Sequence, residues 1–453
     1  MGFKQLIAIV IFSIITFTSC NNENTNNTKK YIFLSHTYQW YTLNEVDHRI
    51  PKLNLEQYDM IWLGGDLCVQ SSSSMSTLNY LNKVYNLSSP NTLWAVGNHD
   101  ILKGSIDSVN TITQRESFYT ISRDNIVISV LNTNLELSYP DTSLRKKKYL
   151  EQYNMLKNVS DTISKSIHYF IIGHNIVWEK MESYINTKAH TAKSDNFDID
   201  KRKNFLNYIY PLLKKIKAKN IQVTWIAGDI GKWLKKYEYW SKDSIQFMAN
   251  GINNTQFFKY PEKLAKKNRD QVLIFKHNIK QNTISWDFYD LNFLVELERI
   301  KQKKFGLDQL DYLCLNIDSM YENKGSIIEN TIRKIKKTPK WNKYILDYSK
   351  ENNVTYKDRL YEEANYIFKT TTKTKLNKLD SLLKIRDFSS IPENPKNNAE
   401  ISIKNRSLKK QEIILRIKKD SVWFKKIKAK ALKNKKSIDQ QLNIEAEWLL
   451  NKK

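Results

Sequence analysis

Four short apolar runs, each stopped by a glycine and followed by a polar side chain, place the strongest constraint on the fold of this chain. The polar clusters are Gly64-Gly65-Asp66, Gly97-Asn98-His99-Asp100, Gly173-His174 and Gly228-Asp229. The runs before them, such as Met60–Leu63 and Tyr169–Ile172, are mainly aliphatic and aromatic and are too short for helices. They predict interior strands of an α/β fold.

The polar clusters also predict a metal site. In an open α/β sheet, ligands bind beyond the carboxyl ends of the strands, so side chains that follow different strands can meet at one point. Carboxylate, amide and imidazole groups are suitable ligands for divalent Mn, Zn, Fe or Mg. We therefore expect these clusters to hold a divalent metal ion.

The order and spacing of the clusters resemble those of the calcineurin-like metallophosphoesterase family. That family carries D-x-H, G-D, G-N-H-D/E, a lone H and G-H-x-H in order, and these motifs hold two metals over a phosphate ester. The predicted hairpin at residues 118–133 and the predicted helix around Gln152 and Leu156 resemble the segments between the family's motifs. The resemblance covers residues 31–290 and implies an αββα sandwich.

The resemblance implies one nearly complete metal pocket. Carried over residue by residue, its ligands are Asp66, Asn98, His174 and Asp229, the last of which stands where the family has a histidine. This replacement exchanges a neutral nitrogen for an anionic oxygen, which a divalent cation accepts. We expect all four residues to bind metal.

The second pocket departs from the family pattern. In the first motif the family's aspartate is His36 and its histidine is Tyr38, and in the fifth motif the second histidine is Gly231. His36 is thus a conditional ligand, and Tyr38 would need a nearby cation to ionise, because its ordinary pKa is about 10. The predicted site is mononuclear or an atypical dinuclear one.

His99 is the predicted catalytic residue. It follows the ligand Asn98 and resembles the family's histidine that stabilises or protonates the leaving oxygen, and we expect Asp100 to fix its tautomer. The family often has a further acid three residues after the aspartate of its second motif. Here that position is Val69.

The amino terminus predicts export. Lys4 precedes the apolar run Leu6–Phe17, which is too short to span a bilayer, and residues 1–20 are typical of a signal peptide. Its end resembles a bacterial lipoprotein signal in which Cys20 is acylated, and the Asn-rich residues 21–30 predict a flexible tether. We expect a lipid-anchored protein of the bacterial cell envelope; a secreted product and an uncleaved anchor remain the alternatives.

The net charge of +26 arises from 61 Lys and 12 Arg against 47 Asp and Glu. Specific recognition of phosphates usually depends on the planar fork of arginine. The composition therefore favours solvated faces or an anionic envelope surface over nucleic acid as a partner.

Residues 291–453 are predicted to be helical and to contain a repeat. Residues near 332–369 and 414–451 match at an offset of 82 positions, and each copy is predicted to be a pair of short helices. A hinge is expected within residues 370–412. The matched apolar seams are Trp341, Ile345, Leu360 and Ala364 in the first copy, and Trp423, Ile427, Leu442 and Ala446 in the second.

Two functions follow from these patterns. The first is a metal-dependent hydrolase of phosphate mono- or diesters in the cell envelope, acting on a phosphorylated small molecule, lipid or glycan. The second is a catalytically inactive, phosphoesterase-like scaffold that binds a protein partner of the envelope through its helical repeats. The altered fifth motif is the best evidence for the second function, and the hydrolase remains the predicted one.

Overall fold

The computed structural model describes residues 27–39, 42–182, 205–231, 234–252, 269–303, 307–389, 410, 413–414, 417–418, 421–434 and 437–451. The predicted signal peptide and residues 21–26 of the predicted tether lie outside these ranges. The chain forms two compact units, Met1–Leu379 and Asp380–Lys453.

The described residues of the first unit contain two mixed β-sheets. From edge to edge, the first sheet consists of β11 (Thr283–Asp290), β10 (Gln271–Asn278), β1 (Thr28–Leu34), β2 (Met60–Leu63) and β3 (Thr92–Trp94). Strands β1, β2 and β3 are parallel, whereas β10 is antiparallel to both of its neighbours. Because β1 begins at Thr28, residues 28–30 of the predicted tether belong to this sheet.

The second sheet has six strands. From edge to edge it consists of β4 (Tyr119–Arg123), β5 (Ile126–Val130), β6 (His168–Gly173), β7 (Gln222–Ala227), β9 (Gln246–Asn250) and β8 (Lys236–Trp240). The four central strands are parallel, and β4 and β8 are antiparallel edges. The strands predicted before the four polar clusters are confirmed, while β8 and β9 are additional.

Side chains of both sheets share one apolar core. The ring of Trp62 in β2 lies 5.1 Å from the ring of Phe170 in β6 and 5.2 Å from that of Phe275 in β10, measured between centroids. All three side chains are fully buried. Since Phe170 belongs to the second sheet and the other two to the first, the sheets pack face to face at this cluster.

Helices connect the strands of the first unit. They are α1 (Met75–Tyr85), α2 (Asn98–Ile101), α3 (Ile106–Thr113), α4 (Leu135–Ser138), α5 (Thr142–Thr162) and α6 (Tyr210–Lys217). Leu156 of α5 and Leu213 of α6 join a second core cluster with Tyr169 and Trp225, which belong to the second sheet. These side chains lie on the opposite face of the sheet from Phe170, because side chains alternate along a strand.

Five further helices follow β11 in the chain. They are α7 (Leu291–Lys301), α8 (Gln309–Glu322), α9 (Lys324–Lys337), α10 (Pro339–Glu351) and α11 (Tyr356–Ser389). The ring of Tyr289 in β11 lies 4.3 Å from that of Tyr321 in α8, which in turn lies 6.1 Å from Phe368 in α11. These contacts explain why the first compact unit extends to Leu379 rather than to residue 290.

The predicted repeat has a matched core in the two copies. The first cluster contains Ile335, Ile345 and Leu360 with Trp341 against it, and the second contains Ile417, Ile427 and Leu442 with Trp423 against it. Each of these four residues of the second cluster lies 82 positions after its counterpart in the first. In the second unit these residues belong in part to α12 (Ser421–Lys433) and α13 (Ile438–Asn451).

The prediction that each copy is a pair of short helices is wrong for the first copy. Its second helix, α11, runs for 34 residues to Ser389, through the first half of the segment in which a hinge was expected. Thr372, Leu376 and Leu379 are buried, and no glycine or proline interrupts the helix. Residues 390–409, 411 and 412 of the segment in which the hinge was expected lie outside the described ranges.

Within the described ranges, no helix combines the length and the hydrophobicity that crossing a bilayer requires.

The shared core gives the first prediction. We expect Phe170→Ala to lower the free energy of unfolding by about 3–5 kcal/mol, because it leaves a cavity between the sheets. As a control, Leu150→Ala removes a side chain of α5 that is 56% exposed and should change stability by about 0.5 kcal/mol or less. Equal effects in urea unfolding would contradict this description of the core.

Candidate metal centre

Two loops at the carboxyl ends of the strands adopt uncommon backbone conformations. His36 after β1 has φ +49°, Asp66 after β2 has φ +56°, and Gly65 has φ +88°. The backbone N–H of His36 donates to the carbonyl of Gly65 at 3.0 Å. This bond joins the ends of two parallel strands and holds the side chains of His36 and Asp66 on the same side.

Glycine is required where these loops touch. A Cβ on Gly65 would lie 2.7 Å from His174 Nδ1, and a Cβ on Gly97 would lie 2.1 Å from Asp66 Oδ1. Any larger residue at either position would force the loops apart. The glycines that mark the strand ends in the sequence therefore permit the close approach of the polar groups.

His174 is oriented by a backbone carbonyl. Its Nδ1 lies 2.7 Å from the carbonyl oxygen of Gly64, and the side chain is fully buried. A carbonyl only accepts hydrogen bonds, so Nδ1 carries the hydrogen and donates it. In the neutral imidazole, Nε2 then presents its lone pair to the interior of the site.

The lone pair of His174 faces three oxygen atoms. Nε2 lies 3.2 Å from Asn98 Oδ1, 3.6 Å from Asp66 Oδ1 and 3.9 Å from Asp229 Oδ1. Four electron-rich atoms that converge in a buried space repel one another unless a cation lies among them. The donor set therefore fits a divalent metal ion, with the nitrogen and oxygen ligands that such ions take in proteins.

His36 completes the group from the other side. Its Nε2 lies 3.2 Å from Asp66 Oδ2 and 3.5 Å from Asp229 Oδ1, and the side chain is fully buried. Burial lowers the pKa of His36, but the carboxylates of Asp229 and Asp66 outweigh burial and raise it to about 9. A metal ion that bound His36 would have to displace a proton from it at neutral pH.

The acidic member of the group is held in its charged form. Burial raises the pKa of Asp66, but the imidazoles of His174 and His36, when protonated, outweigh burial and hold that pKa below its usual range. One ligand atom from each of His36, Asp66 and His174 lies within 4.8 Å of the others. These three buried residues could hold a metal ion.

The structure brings all five predicted ligands to one place. Asp66, Asn98 and Asp229 lie around His174 Nε2, and His36 reaches the carboxylates of Asp66 and Asp229. Gly231, at φ +154°, has no side chain to contribute. Tyr38 is buried, and its ring lies 5.5 Å from the ring of His36 and 5.5 Å from that of His99, between centroids.

Asp100 does not have the role that the sequence suggested. Its carboxylate accepts hydrogen bonds from the backbone N–H groups of Asp66, Leu67 and Gly97 at 2.7–2.9 Å. It also accepts from the side chains of Ser71 at 2.5 Å and Trp94 at 3.3 Å. With its oxygens committed to these five donors, Asp100 does not set the tautomer of His99; it holds the two glycine loops together.

The tautomer of His99 is set by a backbone group instead. Its Nδ1 lies 3.1 Å from the carbonyl oxygen of Val69, so Nδ1 donates its hydrogen there. The backbone N–H of His99 also donates to Asp66 Oδ1 at 2.9 Å. Val69 stands where the family often has an acid, and it orients His99 through its backbone carbonyl instead.

Asn175 is a site residue that the sequence analysis missed. Its Nδ2 donates to Asp229 Oδ2 at 3.4 Å, and its Oδ1 accepts from Thr133 Oγ1 at 2.8 Å. It therefore holds the Asp229 carboxylate in place from behind. Its position directly after His174 was the one signal in the sequence.

A comparison with protein-family models finds no match for the chain, and a comparison with curated proteins finds none either.

The hydrogen bonds of Asp100 give the second prediction. We expect Asp100→Asn to lower the free energy of unfolding by about 1–3 kcal/mol, because an amide group would face backbone donors that it cannot accept from. Asp347→Asn is the matched control, since Asp347 is exposed on α10 and should change stability by about 0.5 kcal/mol or less. If urea unfolding showed that Asp100→Asn loses no more stability than the control, Asp100 would not hold the two glycine loops together.

Proposed function

We propose that this protein is a metal-dependent hydrolase of phosphate esters with the αββα sandwich of the calcineurin-like metallophosphoesterases. The observation that carries the proposal is the convergence of Asp66, Asn98 and Asp229 oxygens on the lone pair of His174 Nε2. Two mixed sheets with a shared core, and polar loops at the ends of their parallel strands, support the proposed fold.

The ligand set favours one metal ion over two. Asp66, Asn98, His174 and Asp229 would hold it, with His36 as a further nitrogen ligand. Because two of these groups are imidazoles, Mn, Zn or Fe suits the set better than Mg, which prefers oxygen ligands. Gly231 stands where the family has a histidine of its second metal pocket. Because Gly231 has no side chain to bind a metal, it supports a mononuclear site.

A divalent ion bound here supplies Lewis-acid polarisation of a phosphoryl oxygen and a bound water of lowered pKa. His99 is partly exposed beside the ligand Asn98, which allows its ring to reach a substrate. With Nδ1 donating to Val69, proton transfer to a leaving oxygen falls to Nε2. The carboxylate of Asp66 accepts a hydrogen bond from the backbone N–H of His99. This bond fixes the proposed general acid His99 relative to the proposed metal ligand Asp66.

The proposal includes a place of action. Residues 1–20 would direct export, and Cys20 would carry the lipid that anchors the protein at the cell envelope. The substrate would then be a phosphorylated small molecule, lipid or glycan met outside the cytoplasm.

Two observations favour the scaffold alternative. The change to Gly231 removes a ligand that the family uses, and a proton on His36 would compensate the two carboxylates without metal. A protein of this kind would act through its helical repeats.

The test combines metal content with turnover. We expect the purified protein to bind Mn²⁺ stoichiometrically and to hydrolyse p-nitrophenyl phosphate or its bis ester. Replacing His99 by Gln should lower kcat at least about a hundredfold while metal binding is retained, because the residue acts in proton transfer. His174→Ala should abolish metal binding and activity together.

The matched control is His48→Gln. The side chain of His48 is 56% exposed, and its replacement should leave kcat unchanged. Stoichiometric metal without turnover of either ester would support the scaffold, and failure of the folded protein to bind any divalent metal would contradict the proposed function.

A further inference from the structure

The two copies of the helical repeat share a core but differ in surface charge. Helix α12 of the second copy contains five lysines and no acidic residue, whereas its counterpart α10 contains three lysines and two acidic residues. At equivalent positions, Asp347 of α10 is replaced by Ala429, and Tyr344 by Lys426. Because the buried positions are kept, the core does not require this change in charge.

Three lysines of α12 lie on the half of the helix that faces solvent. Lys425, Lys426 and Lys428 are exposed, and Leu432, on the same side, is 84% exposed. Ile427 and Ala431 point the other way and are buried. We call Lys425, Lys426, Lys428 and Leu432 the lysine face.

The acids of α13 do not neutralise the lysine face. Each acid of α13 is paired with a lysine elsewhere: Asp439 with Lys418 at 3.2 Å, Glu445 with Lys430 at 3.0 Å and Glu447 with Lys410 at 3.5 Å. Within the described ranges, the lysines of the face make no ion pair. The ammonium of Lys428 lies over the ring of Phe424 at 4.7 Å.

We propose that the lysine face docks on an anionic phospholipid surface. Three exposed lysines within about one turn of α12 match a diffuse layer of negative headgroups. The face contains no arginine, the residue best suited to discrete phosphates or nucleic acid. Leu432 stands among the lysines and can enter the boundary of the acyl chains, as the apolar residues of interfacial helices do.

The test uses the full chain and vesicles of phosphatidylcholine with or without about 30% phosphatidylglycerol. We expect tighter partitioning onto the anionic vesicles. Replacing Lys425, Lys426 and Lys428 together by Gln should weaken that preference about a hundredfold, since each lysine near an anionic surface contributes about fivefold. Leu432→Gln should weaken partitioning about tenfold.

The first copy provides the controls. Replacing Lys340, Lys343 and Lys350 of α10 by Gln removes the same charge and should leave the preference nearly unchanged, as should Leu346→Gln. All variants keep the same amino terminus, so any contribution from residues 1–20 cancels. Thermal unfolding of each variant checks that the fold is retained.

Three results would overturn the proposal. One is an equal loss in the α10 and α12 triple variants, which would indicate a diffuse effect of total charge. Another is equal partitioning of the unmodified chain onto neutral and anionic vesicles. The third is absence of vesicle binding together with binding to duplex DNA that the α12 variant loses, which would identify nucleic acid as the partner.

Discussion

The hydrogen bond from His174 to the carbonyl of Gly64 links the fold to the site. Gly64 follows β2 of the first sheet and His174 follows β6 of the second, so this 2.7 Å contact joins the ends of strands from both sheets. Trp62 and Phe170, on the same two strands, pack against each other in the core. The packing of the sheets thus sets the position from which His174 directs its lone pair.

The surrounding loops maintain this geometry at some cost in conformational energy. His36 and Asp66 adopt left-handed backbone conformations, which cost about 1 kcal/mol each for residues with a side chain. Asp100 offsets this cost, because its carboxylate accepts the N–H groups of Asp66, Leu67 and Gly97. Burial and the charge of Asp66 raise the pKa of Asp100, while the hydrogen bonds that Asp100 accepts from Ser71, Gly97 and Leu67 oppose the increase.

The ligand group was predictable because it follows from local patterns. Apolar runs stopped by glycine mark the ends of parallel strands, and parallel strands present those ends at a common edge. Asp66, Asn98, His174 and Asp229 therefore met as expected. The resemblance to a known family supplied His36 and His99, which residue type alone would not have distinguished from structural histidines.

The remaining features depend on the backbone or on tertiary contacts. The carbonyls of Gly64 and Val69 orient two histidines, and any residue could supply a carbonyl there. Asp100 was assigned to its neighbour in sequence, whereas in the fold it bonds to a loop more than thirty residues away. The length of α11 was not predicted, although no glycine or proline interrupts residues 356–389.

The central claim is that buried donors from separate strand ends surround a single cation. The most direct measurement is anomalous X-ray diffraction from crystals grown with Mn²⁺. We predict one strong peak within bonding distance of His174 Nε2 and of carboxylate oxygens from Asp66 and Asp229. A map that shows these side chains in place with no peak among them would contradict the account.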